Sequence, residues 1–239
     1  SFGFQGRDPT MAGIEYFRDF VQYAKDKNQG RFQIHYALQT NGYLIDEEWC
    51  RLFKEHDFLV GISMDGDAAT HDRYRLDARR QGTHDRVRAA IKLLDKHGVA
   101  YNVLSVITSE MARHAQRVFS FYVEQRIQYV QMIPCLQPLD SEEPGEHDLT
   151  GELYADFMKR FFALWAEEWR KGRYFSVRQF DNLINLINGY PAEQCGMMGY
   201  CTPQFVVEAD GGVYPCDFYV LDRYLSGNVN NDSVEAISK

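Results

Sequence analysis

The 239-residue sequence has no apolar run near the ~20 residues that a membrane helix needs. It has no basic run or basic stripe, and its net charge is −8. Both features argue against a nucleic-acid binder. No secretory signal opens the chain, and no internal repeat or low-complexity segment interrupts it. The seven histidines form neither an H-x3-H nor an H-E-x2-H pattern, so none is assigned as a metal ligand. The five cysteines are an odd number, which together with the missing signal points to a reducing, cytoplasmic setting. There a cysteine cluster reads as a metal site before it reads as disulfides.

What is present is ordinary for a globular protein. Apolar residues make up 45% and charged residues 25%, so a sizeable core is possible. Ser1-Phe2-Gly3-Phe4 reads as the middle of a strand, and Ser233 to Lys239 as a helix that has barely begun. The chain is therefore expected to be a piece of a longer protein.

Strand and helix patterns alternate along the first half. Strands are expected at Phe2 to Gln5, Phe32 to Gln39, Phe58 to Met64, Tyr101 to Thr108 and Ile127 to Ile133. Helices are expected at Gly13 to Lys25, Asp46 to Glu55, from Thr83 to Gly98, and at His114 to Gln125. In the third of these, Val87, Ala90, Ile91 and Leu94 form one stripe, Thr83 can cap the start and Gly98 suits the end. Such alternation implies βαβ units and a parallel sheet, open or barrel-like, with ligands gathered at the strand ends. Gly6-Arg7-Asp8-Pro9, Gln39-Thr40-Asn41-Gly42, Ser63-Met64-Asp65-Gly66 and Pro134-Cys135-Leu136 would line that rim.

After Leu136 comes an acidic loop from Asp140 to Asp148, read as solvated. Two helices follow, at Leu153 to Trp169 and Arg178 to Asn188. A boundary is placed near Pro191, giving domains 1–190 and 191–239. Beyond it Phe205 to Glu208 and Val213 to Cys216 would form a hairpin around Asp210-Gly211.

The strongest chemical signal is Cys195-x5-Cys201-x14-Cys216. A hairpin can bring its return strand back beside the preceding loop, so the three sulfurs could converge on zinc or an iron–sulfur cluster. The spacing is not that of a common zinc knuckle, and a fourth ligand is missing. Spacing alone leaves both a metal site and three buried free cysteines open. Asp217 beside Cys216 could serve as a base or simply face solvent. Asp8 could meet an ammonium or merely sit at a helix start. Ser63 with Arg75 could hold a carboxylate and hydroxyls, although Arg75 alone reads as a surface charge. Cys50 is read as a core residue.

Several of these segments, in order, resemble one family. Phe4-Gln5-Gly6-Arg7-Asp8-Pro9-Thr10 resembles the FQGGEPT segment of anaerobic sulfatase-maturating enzymes. Gln39-Thr40-Asn41-Gly42 with Leu44-Ile45-Asp46-Glu47 is similar to their QTNG-x-LIDE stretch, and residues 58–66 to their FLVGLSLDG strand. The cysteine segment, Gln204 to Glu208 and Tyr214 to Tyr219 resemble the start of their C-terminal cluster domain.

The resemblance implies a partial (β/α)6 radical S-adenosylmethionine (SAM) barrel followed by the start of a SPASM-type auxiliary cluster domain. It implies that Arg7, Ser63, Arg75 and Leu136 contact SAM, that Gly6 and Asp8 belong to the loop around the methionyl amine, and that Gln5 and Gln39 line the site. Cys195, Cys201 and Cys216 would ligate one auxiliary [4Fe-4S] cluster, and Asp217 would be the base. The implied reaction oxidises a cysteine or serine of a sulfatase polypeptide to formylglycine, with an electron donor such as flavodoxin or ferredoxin. Other SPASM-type peptide modification, or a non-catalytic remnant of the fold, are the alternatives. Three departures stand out, one being that the later cysteines of the family's cluster domain do not occur in these residues. The family's C-x3-C-x2-C loop for the radical-generating cluster does not occur in these residues, so the chain alone is expected to be inactive. Arg7 replaces a glycine, where a side chain would crowd the cofactor or demand a positive φ.

Overall fold

A computed structural model of the chain describes residues 1–137, 145, 149–202 and 204–238. The acidic loop residues Asp140, Glu142, Glu143, Glu146 and Asp148 lie outside the described residues. The chain divides into two compact units, Ser1–Asp181 and Asn182–Lys239. The division falls nine residues before the end of the expected first domain, 1–190.

The first unit is built on six strands: β1 (Phe2–Phe4), β2 (Tyr36–Thr40), β3 (Leu59–Ser63), β4 (Tyr101–Ile107), β5 (Tyr129–Pro134) and β6 (Ser176–Val177). All neighbours are parallel, and the sheet order follows the sequence order. Parallel crossovers are right-handed almost without exception. Strands that never reverse order therefore carry their helices on one face, the arrangement that curls into a (β/α) barrel. Burial agrees. Leu38, Val60, Ile62, Val103, Ile107, Val130 and Met132 alternate as a buried face. Gln39, Asn102 and Gln131, on the other face, stay half-buried and polar.

The helices are α1 (Ile14–Asn28), α2 (Glu47–Glu55), α3 (Ala68–His71), α4 (His84–His97), α5 (Ser109–Ala112), α6 (Ala115–Glu124), α7 (Gly151–Arg170) and α8 (Arg178–Ile187), which crosses the unit boundary. Local chemistry sets their ends. Asp46 caps α2, its carboxylate accepting from Glu48 N (2.9 Å) and Trp49 N (3.0 Å). Such a cap is worth about 1 kcal/mol. Gly98 ends α4 at φ 62°, as its sequence position requires. Trp165 is buried on α7 and donates from Nε1 to Phe175 O (2.8 Å), tying the helix to the approach to β6.

One expectation about caps is overturned. Thr83 precedes α4 but makes no side-chain cap. Its hydroxyl is committed elsewhere, and the amide of His84 donates instead to Asp72 Oδ1 (2.8 Å). Cys50 is fully buried on α2, as expected. Burial pushes its thiol up to about 11, so it stays protonated at neutral pH.

The second unit contains a three-stranded antiparallel sheet, β7 (Val206–Val207), β8 (Gly212–Tyr214) and β9 (Gly227–Asn228), and a short helix α9 (Val234–Ile237). The expected hairpin is present, with Gly211 turning it at φ 86°. Its ladder is only two residue pairs long. Among the described residues, no helix is long and apolar enough to cross a membrane.

Candidate functional site

The C-terminal ends of β1, β2 and β3 and the loop after α3 enclose an open cavity of about 770 Å³. Its wall includes Gly6, Arg7, Asp8, Gln39, Ser63 and Arg75. Gln5 and Leu136 are not part of that wall. Gln5 follows β1 directly, and Leu136 stands 67% exposed beyond the ladder that Cys135 N extends to Ile107 O.

The first turn is shaped by Gly6 and Asp8. Gly6 has φ 115°, a conformation that side chains avoid. Arg7 does not share it, since the described non-glycine residues with positive φ are Gln29, Asp57, Arg80 and Arg126. The strain expected at Arg7 is thus carried by the glycine before it, and Arg7 extends an exposed side chain along the wall. Asp8 is committed structurally. Its carboxylate accepts from Thr10 N (3.1 Å), Thr10 Oγ1 (2.6 Å), Thr40 Oγ1 (3.0 Å) and Asn41 N (3.1 Å). It clamps the β1 turn to the end of β2, so an ammonium ion would compete with four donors for it.

The opposite wall rests on Arg75 and on a set of partners behind it. Arg75 Nε and Nη2 donate to the two carboxylate oxygens of Asp65, a bidentate pair. Asp65 Oδ1 also accepts from Val106 N (2.8 Å), anchoring the pair to β4. Asp65 N donates to His71 Nδ1 (3.2 Å), and His71 Nε2 lies 3.0 Å from Thr83 Oγ1. Thr83 Oγ1 donates to Arg75 O (2.9 Å). One protonation pattern satisfies every link: Nδ1 accepts, Nε2 carries the proton, and the threonine passes its own proton to the carbonyl. His71 is completely buried, and desolvation pulls it down to about 4, keeping it neutral. The sequence places Asp65 on the rim segment Ser63-Met64-Asp65-Gly66 without a role, and His71 has no motif around it. Their partners are 6 to 41 residues away in sequence, and no local pattern marks them.

The second candidate site lies in the other unit. Cys195, Cys201 and Cys216 are all free thiols, two exposed and one half-buried. Cys216 Sγ donates weakly to Asp217 Oδ1 (3.5 Å). Partial burial raises the Cys216 thiol, and the nearby Asp217 adds to this. The full convergence of three sulfurs is not formed: among the described residues no three His, Cys, Asp or Glu side chains gather to hold a metal ion. The loop before Cys201 is shaped by turn contacts, Met197 N to Gln194 O (3.3 Å) and Gly199 N to Gly196 O (3.4 Å), and by Asn182 Oδ1, which accepts from Glu193 N (2.6 Å) and Gln194 N (3.1 Å). The donor types themselves, three thiols in no disulfide and a carboxylate beside Cys216, suit a thiophilic metal or an iron–sulfur cluster.

These two sites match two known domains. Residues 1–118 match the radical SAM superfamily, and residues 195–239 match the SPASM iron–sulfur cluster-binding domain. The chain is 41% identical to the cysteine-type anaerobic sulfatase-maturating enzyme of Clostridium novyi, over 96% of its own length and 62% of that protein. It is 28% identical to the serine-type enzyme of Bacteroides thetaiotaomicron, over 98% of its own length and 59% of the relative. The solved structure of native anSMEcpe with bound AdoMet and Cp18Cys peptide superposes with a TM-score of 0.96 at 40% identity, covering all of this chain and 66% of that one. The chain carries radical SAM and SPASM sequence and is similar, along nearly its whole length, to anaerobic sulfatase-maturating enzymes. It spans a little under two thirds of the length of the curated relatives it matches.

Proposed function

We propose that the protein to which these residues belong is a radical SAM enzyme that oxidises a cysteine or serine of a sulfatase to formylglycine. The observation that carries this reading is the cavity. Ser63, Arg75 and the Gly6 turn meet at the C-terminal ends of parallel strands, where such sheets place their ligands. The space suits SAM: a cavity of about 770 Å³ combines a guanidinium, a hydroxyl and a glycine turn. Ser63 and Arg75 would orient a carboxylate, Gly6 and the Asp8-held turn would face the methionyl end, and Gln39 would border the reacting side. Arg7 would reach the same wall, and we assign Gln5 and Leu136 to its margins.

When bound, SAM and a reduced [4Fe-4S] cluster supply hydrogen-atom abstraction, and the residues supply position and electrostatics. Cys195, Cys201 and Cys216 would hold one auxiliary [4Fe-4S] cluster. Asp217, exposed just beyond the hairpin and adjoining Cys216, would accept the proton of the substrate thiol or hydroxyl. The activity is proposed for the whole protein, since the C-x3-C-x2-C motif for the radical-generating cluster is not among these cysteines. A flavodoxin- or ferredoxin-type donor would provide the electron, in the cytoplasm. The higher identity to the cysteine-type relative supports cysteine as the target.

The test is an anaerobic assay of the iron-reconstituted full-length protein with a sulfatase peptide carrying either Cys or Ser. The expected product is formylglycine, faster from Cys, with deoxyadenosine formed alongside. Deoxyadenosine without formylglycine would leave the radical SAM class standing and remove the sulfatase reading in favour of another SPASM-type peptide modification.

A further inference from the structure

Arg75, on the cavity wall, is held by two separate sets of bonds. Asp65 fixes its guanidinium from behind through Nε and Nη2, and does so while itself bonded to β4 through Val106 N. The backbone of Arg75 is fixed independently. Its carbonyl accepts from Thr83 Oγ1, and its amide donates to His71 O (3.0 Å). His71 then links the two sets, accepting from Asp65 N and meeting Thr83 Oγ1. The ring is closed: Asp65 to His71 to Thr83 to Arg75 and back to Asp65. Asp65 and His71 are buried, while Thr83 and Arg75 reach the cavity wall.

Two features argue that this ring does more than fill space. Thr83 stands where it would cap α4, yet its hydroxyl serves the ring and Asp72 receives the first helical amide instead. A capping position is therefore given up to the ring. The loop between Arg75 and Thr83 also has its own closure, with Leu76 bridged to Gly82 and Asp77 N bonded to Gln81 O (2.9 Å). That loop holds its shape without the hydroxyl. What the hydroxyl adds is a fixed height for Arg75 relative to the imidazole.

We propose that His71 and Thr83 are positioning residues that set the Arg75 guanidinium for the carboxylate of the cofactor, a claim resting on the reading of the cavity as the SAM site. The imidazole acts as a neutral, single-tautomer spacer. It accepts at Nδ1 and donates at Nε2, so it transmits the position of Asp65 to the Arg75 backbone. Preorganising a guanidinium in this way spares a ligand the cost of ordering it.

The test compares Thr83→Val, which is isosteric without the hydroxyl, with Thr83→Ser, which keeps it. The full chain is examined by the NMR exchange rate of the Arg75 Nε proton, by thermal denaturation, and by calorimetric titration with SAM. The expected result is slow Nε exchange in the wild type, at least tenfold faster exchange in Thr83→Val, and recovery in Thr83→Ser. SAM binding should weaken about tenfold in Thr83→Val, the size of one lost buried hydrogen bond, and return in Thr83→Ser. Equal loss in both variants, or unchanged exchange in Thr83→Val, would overturn the proposal. If Arg75→Lys weakens SAM binding but Thr83→Val does not, the cavity reading stands and the positioning claim fails. If Arg75→Lys leaves SAM binding unchanged, the cavity reading fails, and the Arg75 exchange rates alone decide whether the ring positions the side chain. Observation of the Nδ1-protonated tautomer of His71 by nitrogen NMR would also contradict the ring.

Discussion

The two units hold their chemical groups in opposite ways. In Ser1–Asp181 the cavity wall is fixed from behind by buried polar groups: Asp65, His71, Thr40 and Ser105 are each under 9% exposed. Tyr122, also fully buried, donates to Ser105 Oγ (2.9 Å) and accepts from Gly66 N (3.2 Å), bracing the same strand end. In Asn182–Lys239 only Val213, Tyr214 and Ile237 are buried apolar side chains among the described residues, too few to fold such a module firmly. Its thiols sit on the outside of short strands and turns. One site is preorganised by the fold; the other would gain its order from what it binds, as small metal modules do.

The largest effect expected from breaking this contrast is at the cysteines. Replacing Cys195, Cys201 and Cys216 together with Ser should abolish iron loading of residues 182–239. Limited proteolysis should then cleave that region rapidly while 1–181 stays intact. Simultaneous loss of both regions would show that they do not differ in this way.

Next comes Asp65→Ala, which strips Arg75 of its partner and leaves Val106 N without its acceptor. The cost should be about 3 kcal/mol in denaturant unfolding, because a half-buried charge and a backbone donor are left unpaired. A change under about 1 kcal/mol would mean that solvent already satisfies Arg75.

The third effect is a pH dependence. His71 sits at about 4 when folded, mainly through desolvation, against an ordinary value near 6.5. Asp65 and Asp72 pull it up, and Arg75 and His84 push it down. A histidine depressed on folding binds more protons when unfolded, so its contribution is fully present above about pH 6.5. That contribution falls as pH drops toward 4. Between pH 7 and pH 5 the loss should be about 2 kcal/mol, and His71→Asn should flatten that part of the profile. Equal slopes in the two proteins would contradict it.

The smallest effect on stability is expected from Asp217→Asn. The side chain is exposed, so unfolding should shift by no more than about 0.5 kcal/mol while formylglycine formation by the whole enzyme collapses. Intact turnover would remove Asp217 as the base.

How much of this was legible in the sequence follows the same division. The alternation of strands and helices was readable because apolar periodicity reports which face meets a core, and unit 1 has a large core. The bounds of α4 followed from its Val87–Leu94 stripe and Gly98. β6 and β9, two residues each, carry no period at all. Within the cavity, Ser63 and the Gly6 turn were visible as strand-end segments and Arg75 as a residue a short loop beyond Ser63. Asp65 was visible only as part of its rim segment and His71 not at all, since their roles depend on contacts across β3, β4 and α4 that no local pattern encodes. Thr83 misled for a related reason: a threonine before a helix looks like a cap whichever partner its hydroxyl chooses. At Arg7 the expected strain moved by one residue, because the tight turn could be absorbed by Gly6.

The most direct test of the contrast between the two units is hydrogen exchange read by mass spectrometry, with and without anaerobic iron–sulfur reconstitution. Iron loading should protect amides within residues 195–216 at least tenfold and leave those of residues 59–83 unchanged. Equal protection of both stretches, or none in 195–216, would contradict the account.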